Sequence, residues 1–351
     1  MPTPLNVALV GYGFVGKVFH APLVQATPGL ALHTVVSGDA GKVRADWPAV
    51  RVVPDAHAAF ADPAVDLVVV ASPNATHAPL AIAALGHGKH VVVDKPFTVT
   101  LREAQDVVDA AHRAGRLASV FQNRRWDADF LTLRRLIDEG ALGRVAEFHS
   151  HFDRFRPAVQ DRWRERDEPG GGLWHDLGPH LLDQALQLFG MPAAITADIA
   201  RLRDGAQAPD YFDATLHYPG HRAILHAGTL VAGNGLRFAV HGTRGSYLKH
   251  GLDVQEDQLR AGMAPGAPGW GVDPRSGEQV TAGPAGLAAQ VAQGVPGDYR
   301  RYYAGVRDAI LRGTAPPVTP AQALDVMRLL EHGLQSSAER RTVALDGAPA
   351  L

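Results

Sequence analysis

"NVALVGYGFVGKVFHAPLV", Asn6 to Val24, lies near the start of a 351-residue chain. Residues 5–10 are a short apolar, β-branched run, and Gly11, Gly13 and Gly16 follow at fixed offsets. From Lys17 the spacing turns helical, with Val18, Ala21, Pro22 and Val24 leading to a stop at Pro28-Gly29. A strand, three glycines and a helix in this order make a phosphate-binding turn. The first glycine permits the turn, the second lets a pyrophosphate approach the backbone, and the third lets helix and strand pack closely. A purely structural turn is the competing reading. The strand–turn–helix setting favours a dinucleotide site, with Gly11, Gly13, Phe14, Val15 and Gly16 as its contacts.

Working outward, "LALHTVVS" (30–37), "RVVPD" (51–55), "VDLVVVAS" (65–72), "KHVVVDKP" (89–96) and "LASVFQN" (117–123) read as strands. Helical stretches at 77–88 and 101–115 separate the later ones. Strands alternating with helices predict an α/β fold with a doubly wound parallel sheet, a dinucleotide-binding domain over 1–123. The texture then changes. A helix (129–139) ends at Gly140, and runs at 144–155, 194–203, 211–219, 222–231 and 236–251 alternate with period two. These predict a largely antiparallel sheet with one face covered, in a second α/β domain over 124–351. Residues 262–298, rich in Gly, Pro and Ala, read as loops, and 300–313 and 321–340 as closing helices.

Bulk properties narrow the function. The chain is 46% hydrophobic and 20% charged, with net charge −2 and a pI near 6.8. No basic stripe suggests nucleic acid and no run reaches a membrane span of roughly 18 apolar residues, so neither partner is expected. With no cysteine, thiolate catalysis, disulfides and Cys metal sites are excluded. No export signal is read, and a cytoplasmic location is expected.

Three further stretches carry chemistry. At the end of the second strand, an acidic residue would bind the ribose 2′-hydroxyl of NAD, whereas a 2′-phosphate needs room and positive charge. Ser37 stands there with Lys42 and Arg44 nearby, which favours NADP; Asp39 argues for NAD. "ASPNATHAPL" (71–80) follows the fourth strand, at the carboxyl end where ligands bind in such sheets. Ser72, Pro73, Asn74 and His77 are therefore candidate cofactor contacts, with helix capping the plainer role for Asn74. "VVVDKPF" (91–97) sets Asp94 and Lys95 at the next strand end, on the same side. "GGGLWHDLGPHLLDQALQLFG" (170–190) passes from a glycine run into a helix, and Asp176 and His180 share one face at i and i+4. A carboxylate beside an imidazole suits a general acid–base. A structural pair is one alternative. A metal on His175, Asp176 and His180 is another, disfavoured because residues 175 and 176 point about 100° apart on a helix; no metal is expected.

Taken together, GYGFVG (11–16), SPNATH (72–77), DKP (94–96) and GGGLWHDLGPHLLD (170–183) resemble the glucose–fructose oxidoreductase / inositol dehydrogenase / rhizopine-catabolism family. "GKVFHAPL", "FQNRRWDADF", "FDRFRP" and "DRWRE" look closer to its NADP-dependent scyllo-inositol dehydrogenase branch. The resemblance implies a Rossmann domain followed by an α/β domain on an open sheet, and a homodimer or homotetramer formed through that sheet. The last helix, about 321–340, would pack back on the first domain. The implied chemistry is hydride transfer between nicotinamide and a sugar or cyclic polyol, with NADP preferred to NAD. Lys95 matches the catalytic lysine, with Asp94 where many relatives carry Glu, and Asp176 and His180 match the later DxxxH motif. His180 would exchange the hydroxyl proton, Lys95 would polarise the same oxygen, and Asp176 would bind substrate hydroxyls or hold His180. Asn123, Arg124, Arg154 and Tyr303 would touch substrate, and Trp163-Arg164 would close over the cofactor. The resemblance also admits a non-catalytic NAD(P)-binding sensor and a glycoside hydrolase that uses NAD transiently.

Overall fold

The computed structural model describes residues 3–345. Its contacts divide the chain into two compact units. The first takes the chain as far as Trp126, then Gln255–Trp270 and Asp298–Met327. The second holds Asp127–Val254, Gly271–Gly297 and the chain from Arg328 onward. The sequence suggests a single boundary at 123/124, whereas here two later stretches also group with the first unit. The last division, Met327/Arg328, falls inside the helix Pro320–Glu339.

In the first unit β1 (Leu5–Val10), β2 (Leu30–Val36), β3 (Arg51–Val53), β4 (Leu67–Val70), β5 (His90–Val93) and β6 (Ala118–Val120) form a parallel sheet in the order β3-β2-β1-β4-β5-β6. Helices α1 (Ala21–Gln25), α2 (Ala40–Asp46), α3 (Ala56–Phe60), α4 (His77–Gly86) and α5 (Leu101–Ala114) supply the crossovers. Every residue of β4 is fully buried, which is why "LVVV" shows no alternation: a parallel sheet is covered on both faces. Strand order reverses between β1 and β4, and the crevice at their carboxyl ends is where such sheets bind ligands. Helix boundaries follow local chemistry. Thr100 Oγ1 accepts from Glu103 N–H and the Glu103 carboxylate accepts from Thr100 N–H, a capping box that opens α5; Gly115, left-handed at φ 58°, closes it.

The second unit carries α6 (Ala128–Asp138), β7 (Val145–His151), α7 (Gly172–Phe189), β8 (Ala194–Ala200), β9 (Tyr211–His217), β10 (Arg222–Gly228), β11 (Leu236–Gly242), β12 (Gly245–His250), β13 (Gly277–Gly283), β14 (Gly286–Ala292) and β15 (Val343–Ala344). Its nine strands run β14-β13-β12-β11-β7-β10-β9-β8-β15, all antiparallel neighbours except β7 and β10. The parallel β7–β10 pair makes the sheet mixed. One face is buried. Phe148, Phe212, Leu225 and Phe238 point into it, and the Trp174 ring of α7 meets Phe212 edge-on at 4.9 Å. Arg237 is sunk in that face. It donates to Asp129 of α6 (3.1 Å), Ser150 of β7 (2.9 Å) and Gln184 of α7 (2.7 Å). A buried cation is tolerated when each donor finds an acceptor.

The reading of 262–298 as loops is corrected: β13 and β14 form a hairpin there, registered on β12 through Ser246↔Val280. Glycine and alanine mute the alternation, and pairing with the β12 edge supplies what the local pattern lacks. Among the described residues, no helix is long and apolar enough to cross a membrane.

Candidate active site

Each glycine of the opening loop has a different constraint. Gly11 holds φ 100°, and a Cβ there would stand 2.6 Å from the carbonyl oxygen of Ala71, so the loop is pressed on the end of β4. A Cβ on Gly16 would lie 2.1 Å from the Gly11 oxygen. A Cβ on Gly13 would meet nothing within 4 Å. Packing therefore requires Gly11 and Gly16, whereas Gly13 borders open space. That is the cradle a dinucleotide phosphate needs, and the loop fits the cofactor. Beyond it Gly16–His20 forms a wide turn, in which Ala21 N–H reaches the Gly16 carbonyl, before α1 continues. Phe14 is half exposed, its outer face covered by the Arg260 guanidinium at 4.5 Å. Val15 lies beside it in the same turn.

At the tip of β2, Asp39 is the N-cap of α2, its carboxylate accepting from Lys42 N–H at 2.9 Å. The Ser37 hydroxyl accepts from Asp39 N–H at 3.1 Å. The Lys42 ammonium donates to the Tyr12 carbonyl at 3.1 Å, so this cation is tied to the glycine loop. Arg44 sits in the last turn of α2.

Past β4, Ser72, Pro73 and Asn74 lead into α4, with Ser72 Oγ 2.6 Å from Thr76 Oγ1. His77 is buried between two carbonyls, with Nε2 2.9 Å from Ser72 O and Nδ1 2.9 Å from Pro96 O. It ties the ends of β4 and β5 together. Burial pushes its pKa below the ordinary value, although the Asp94 charge opposes this.

Lys95 is half-buried at the carboxyl end of β5, and its peptide to Pro96 is cis. The preceding Asp94 is buried, with Oδ1 3.6 Å from His20 Nε2. Burial pushes the Asp94 carboxyl up. The contact with His20 and the charges of His20, Lys95 and His77 outweigh it and hold the group below the ordinary carboxylate value. His20 is fully buried, and its Nδ1 lies 2.6 Å from the hydroxyl of Tyr303. Tyr303 is itself fully buried; its pKa stands far above the ordinary value because of that burial and the nearby Tyr302 and Asp94. The structure thus places Tyr303 behind Asp94, as the far end of a buried Tyr303–His20–Asp94 row. His20 is the residue the sequence reading does not single out. It stands four residues after Gly16 and four before Val24, so a polar side chain on an inward helical stripe is the available signal. Asn123 and Arg124 are buried in the turn 123–126, and Arg124 pairs with Glu256 at 2.9 Å.

In the second unit, Asp176 and His180 lie one turn apart on α7, as expected, with His180 buried and Asp176 partly exposed. Two guanidiniums face Asp176: Arg154 Nη1 stands 3.7 Å from Oδ2, and Arg164 Nε 3.7 Å from Oδ1. Arg164 stacks on Trp163 at 4.4 Å, and Arg154 lies over Phe152 at 5.0 Å. Asp176, Arg154 and Arg164 line a shallow open cleft that also takes in Arg156, Arg203 and Glu165. Arg203 is engaged by Glu165 at 3.0 Å and Asp210 at 2.8 Å, and so belongs to the wall. His175 turns back to the Gly171 carbonyl at 3.3 Å, and burial lowers its pKa. Among the described residues, His175, Asp176 and His180 do not gather into a metal-sized group.

Residues 5–122 match the "Oxidoreductase family, NAD-binding Rossmann fold", and 134–345 match the "Oxidoreductase family, C-terminal alpha/beta domain". The "Uncharacterized oxidoreductase YdgJ" of Escherichia coli (strain K12) is 52% identical, over 98% of this chain and 100% of its own. The "scyllo-inositol 2-dehydrogenase (NADP(+)) IolW" of Bacillus subtilis (strain 168) is 39% identical, over 97% of this chain and 96% of its own. A solved structure from Yersinia pestis superposes with a TM-score of 0.95 at 51% identity, covering 99% of each chain. The glycine loop, the lysine at the end of β5 and the Asp176–His180 helix thus stand in a chain that belongs to the GFO/IDH/MocA family of oxidoreductases, with an N-terminal NAD-binding Rossmann domain and a C-terminal α/β domain.

Proposed function

We propose that this oxidoreductase transfers a hydride between NADP, in preference to NAD, and a CH–OH carbon of a sugar or cyclic polyol, as a scyllo-inositol dehydrogenase does. The observation that carries the reading is that Lys95 stands at the same carboxyl edge of one parallel sheet as the glycine loop. The full-length similarity to a protein named as an NADP-dependent inositol dehydrogenase supports the substrate class. NADP is favoured because the Asp39 carboxylate is spent as a helix cap, while Lys42 is held against the loop.

Bound nicotinamide supplies the hydride acceptor or donor. Gly11, Gly13 and Gly16 shape the phosphate cradle, and Ser37 and Lys42 stand at the β2 tip for the 2′-phosphate. Ser72, Pro73, Asn74 and His77 line the β4 side. Lys95 places positive charge at the reacting oxygen and favours alkoxide character in the transition state. Asp94, kept ionised by its buried row, fixes the charge beside that ammonium. His180 exchanges the hydroxyl proton, with Asp176 setting the imidazole or reading a neighbouring hydroxyl. Arg154 and Arg164 hold the Asp176 carboxylate in place. Trp163 and Arg164 would cover the cofactor, and Asn123 and Arg124 would stand near the substrate. A homodimer or homotetramer through the second sheet is part of the same reading.

The test is a spectrophotometric screen. Purified protein is mixed with NADP+ or NAD+ and a panel of inositols and aldoses, and with NADPH and the corresponding keto compounds. Reduction of NADP+ dependent on one stereochemical class of polyol is expected. No turnover with any member, in protein that binds the cofactor, contradicts the reading. Tightly retained NAD with bond cleavage and no net redox would replace it with glycoside hydrolysis.

A further inference from the structure

Away from the candidate active site, three side chains of the second unit meet on the uncovered face of its sheet. His151 ends β7, Asp153 follows it two residues later, and His226 lies on β10, the parallel neighbour of β7. His226 Nδ1 is 3.0 Å from Asp153 Oδ1, and His151 Nδ1 is 3.4 Å from Asp153 Oδ2. One ligand atom from each of the three falls within 4.8 Å of the other two. We propose that His151, Asp153 and His226 form a binding site for a divalent transition-metal cation of the zinc class.

The geometry suits that ion. Zinc-class ions hold such ligands at about 2.0–2.1 Å, and the three ligand atoms here lie within 4.8 Å of one another, near enough for side-chain rotation to close them round one ion. Two imidazoles and one carboxylate are a donor set for Zn²⁺, Co²⁺ or Ni²⁺ rather than for Ca²⁺ or Mg²⁺, which prefer oxygen throughout. Three protein ligands leave a fourth position for water. The surroundings fix the ligands. The Asp153 carboxylate also accepts from Gly228 N–H at 2.9 Å, the Tyr211 ring meets His226 edge-on at 5.3 Å, and His149 stacks on His151 at 6.2 Å. Within a single chain both histidine side chains keep about a fifth of their surface exposed. The sequence offers no ligand spacing to read, because His226 and Asp153 are 73 positions apart and only the β7–β10 pairing joins them.

The test uses the full chain without an affinity tag, stripped with chelator. Zn²⁺ is titrated by calorimetry, and Co²⁺ by visible absorption. One ion per chain is expected, with d–d bands from Co²⁺ in a low-symmetry site of mixed nitrogen and oxygen donors. His226→Gln should weaken binding by at least about tenfold. His241→Gln, on the same face but paired with Ser246, should leave it unchanged. Asp153 is kept because it also holds Gly228, and His151→Gln replaces His226→Gln if the latter does not fold. Circular dichroism and NADPH binding of the metal-free variants confirm folding. Wild-type protein that takes up no stoichiometric ion, or binding indifferent to both histidine substitutions, overturns the proposal.

Discussion

In the first sheet β4 and β5 bury almost every residue, whereas in the second β7 and β10 bury alternate residues and leave Glu147, His149, His151 and His226 on the other face. The difference decides where chemistry can sit. A parallel sheet covered on both sides has no free face, so its reactive groups gather at the strand ends: the glycine loop after β1, Ser72 after β4, Asp94-Lys95 after β5. A mixed sheet with one face covered leaves polar side chains on its other face, and its covering helix carries Asp176 and His180. The two candidate centres are also held differently. Asp94 is fixed by burial against His20, while Asp176 is fixed at a cleft by two arginines in partial solvent. Burial gives a rigid charge; screened arginine contacts give one that can exchange partners with a ligand.

The largest expected effect separates the two centres. Lys95→Ala should lower kcat by about a hundredfold or more, because it removes charge stabilisation at the strand end, while NADPH still binds. His180→Ala should instead flatten the pH dependence of kcat near neutrality. Steady-state kinetics across pH check both. Equal, pH-independent losses from the two variants would mean that the centres do not have distinct roles.

The glycine loop gives a smaller but sharper contrast. Gly13→Val should fold with a melting temperature close to that of the native chain and lose NADPH affinity by about tenfold or more, since its side chain enters the cradle. Gly16→Ala should destabilise by about 1–3 kcal/mol, because its Cβ collides with the Gly11 carbonyl. Thermal melts with and without NADPH distinguish the two. A Gly13→Val chain with native affinity would show that the open space beside this residue is not the cofactor's.

The smallest effect tests the parallel sheet alone. Nδ1 of His90, at the start of β5, accepts from Leu117 N–H at 3.0 Å, and burial together with Arg116 lowers its pKa to about 4. The unfolded chain, with an ordinary histidine, binds the proton first. Stability from this group is therefore complete above about pH 6.5 and is lost as pH falls toward 4. In His90→Gln, that part of the pH dependence between 6.5 and 4 should vanish. Unchanged acid sensitivity in chemical denaturation would place the titration elsewhere.

The parallel sheet was legible because its signals are local: an unbroken apolar run, a glycine turn, and helical stretches between the strands. Asp176 and His180 were legible because helical spacing alone puts them on one face. What stayed hidden depends on distant pairings. Tyr303 reaches His20 across 283 positions, so nothing in "RRYYAGV" reveals that its hydroxyl faces inward. The parallel β7–β10 pair has no local mark, and the histidine–aspartate cluster depends on it. The β13–β14 hairpin is too rich in glycine and alanine to show alternation, and six of its outer-strand residues are exposed.

The most direct measurement of the central claim is a fluorescence titration of the native chain with NADPH and with NADH. The account predicts saturable NADPH binding at one site per chain, with NADH weaker. A tighter fit to NADH would overturn the reading of the β2 tip, and binding of neither would contradict the assignment of the Gly11–Gly16 loop as the cofactor cradle.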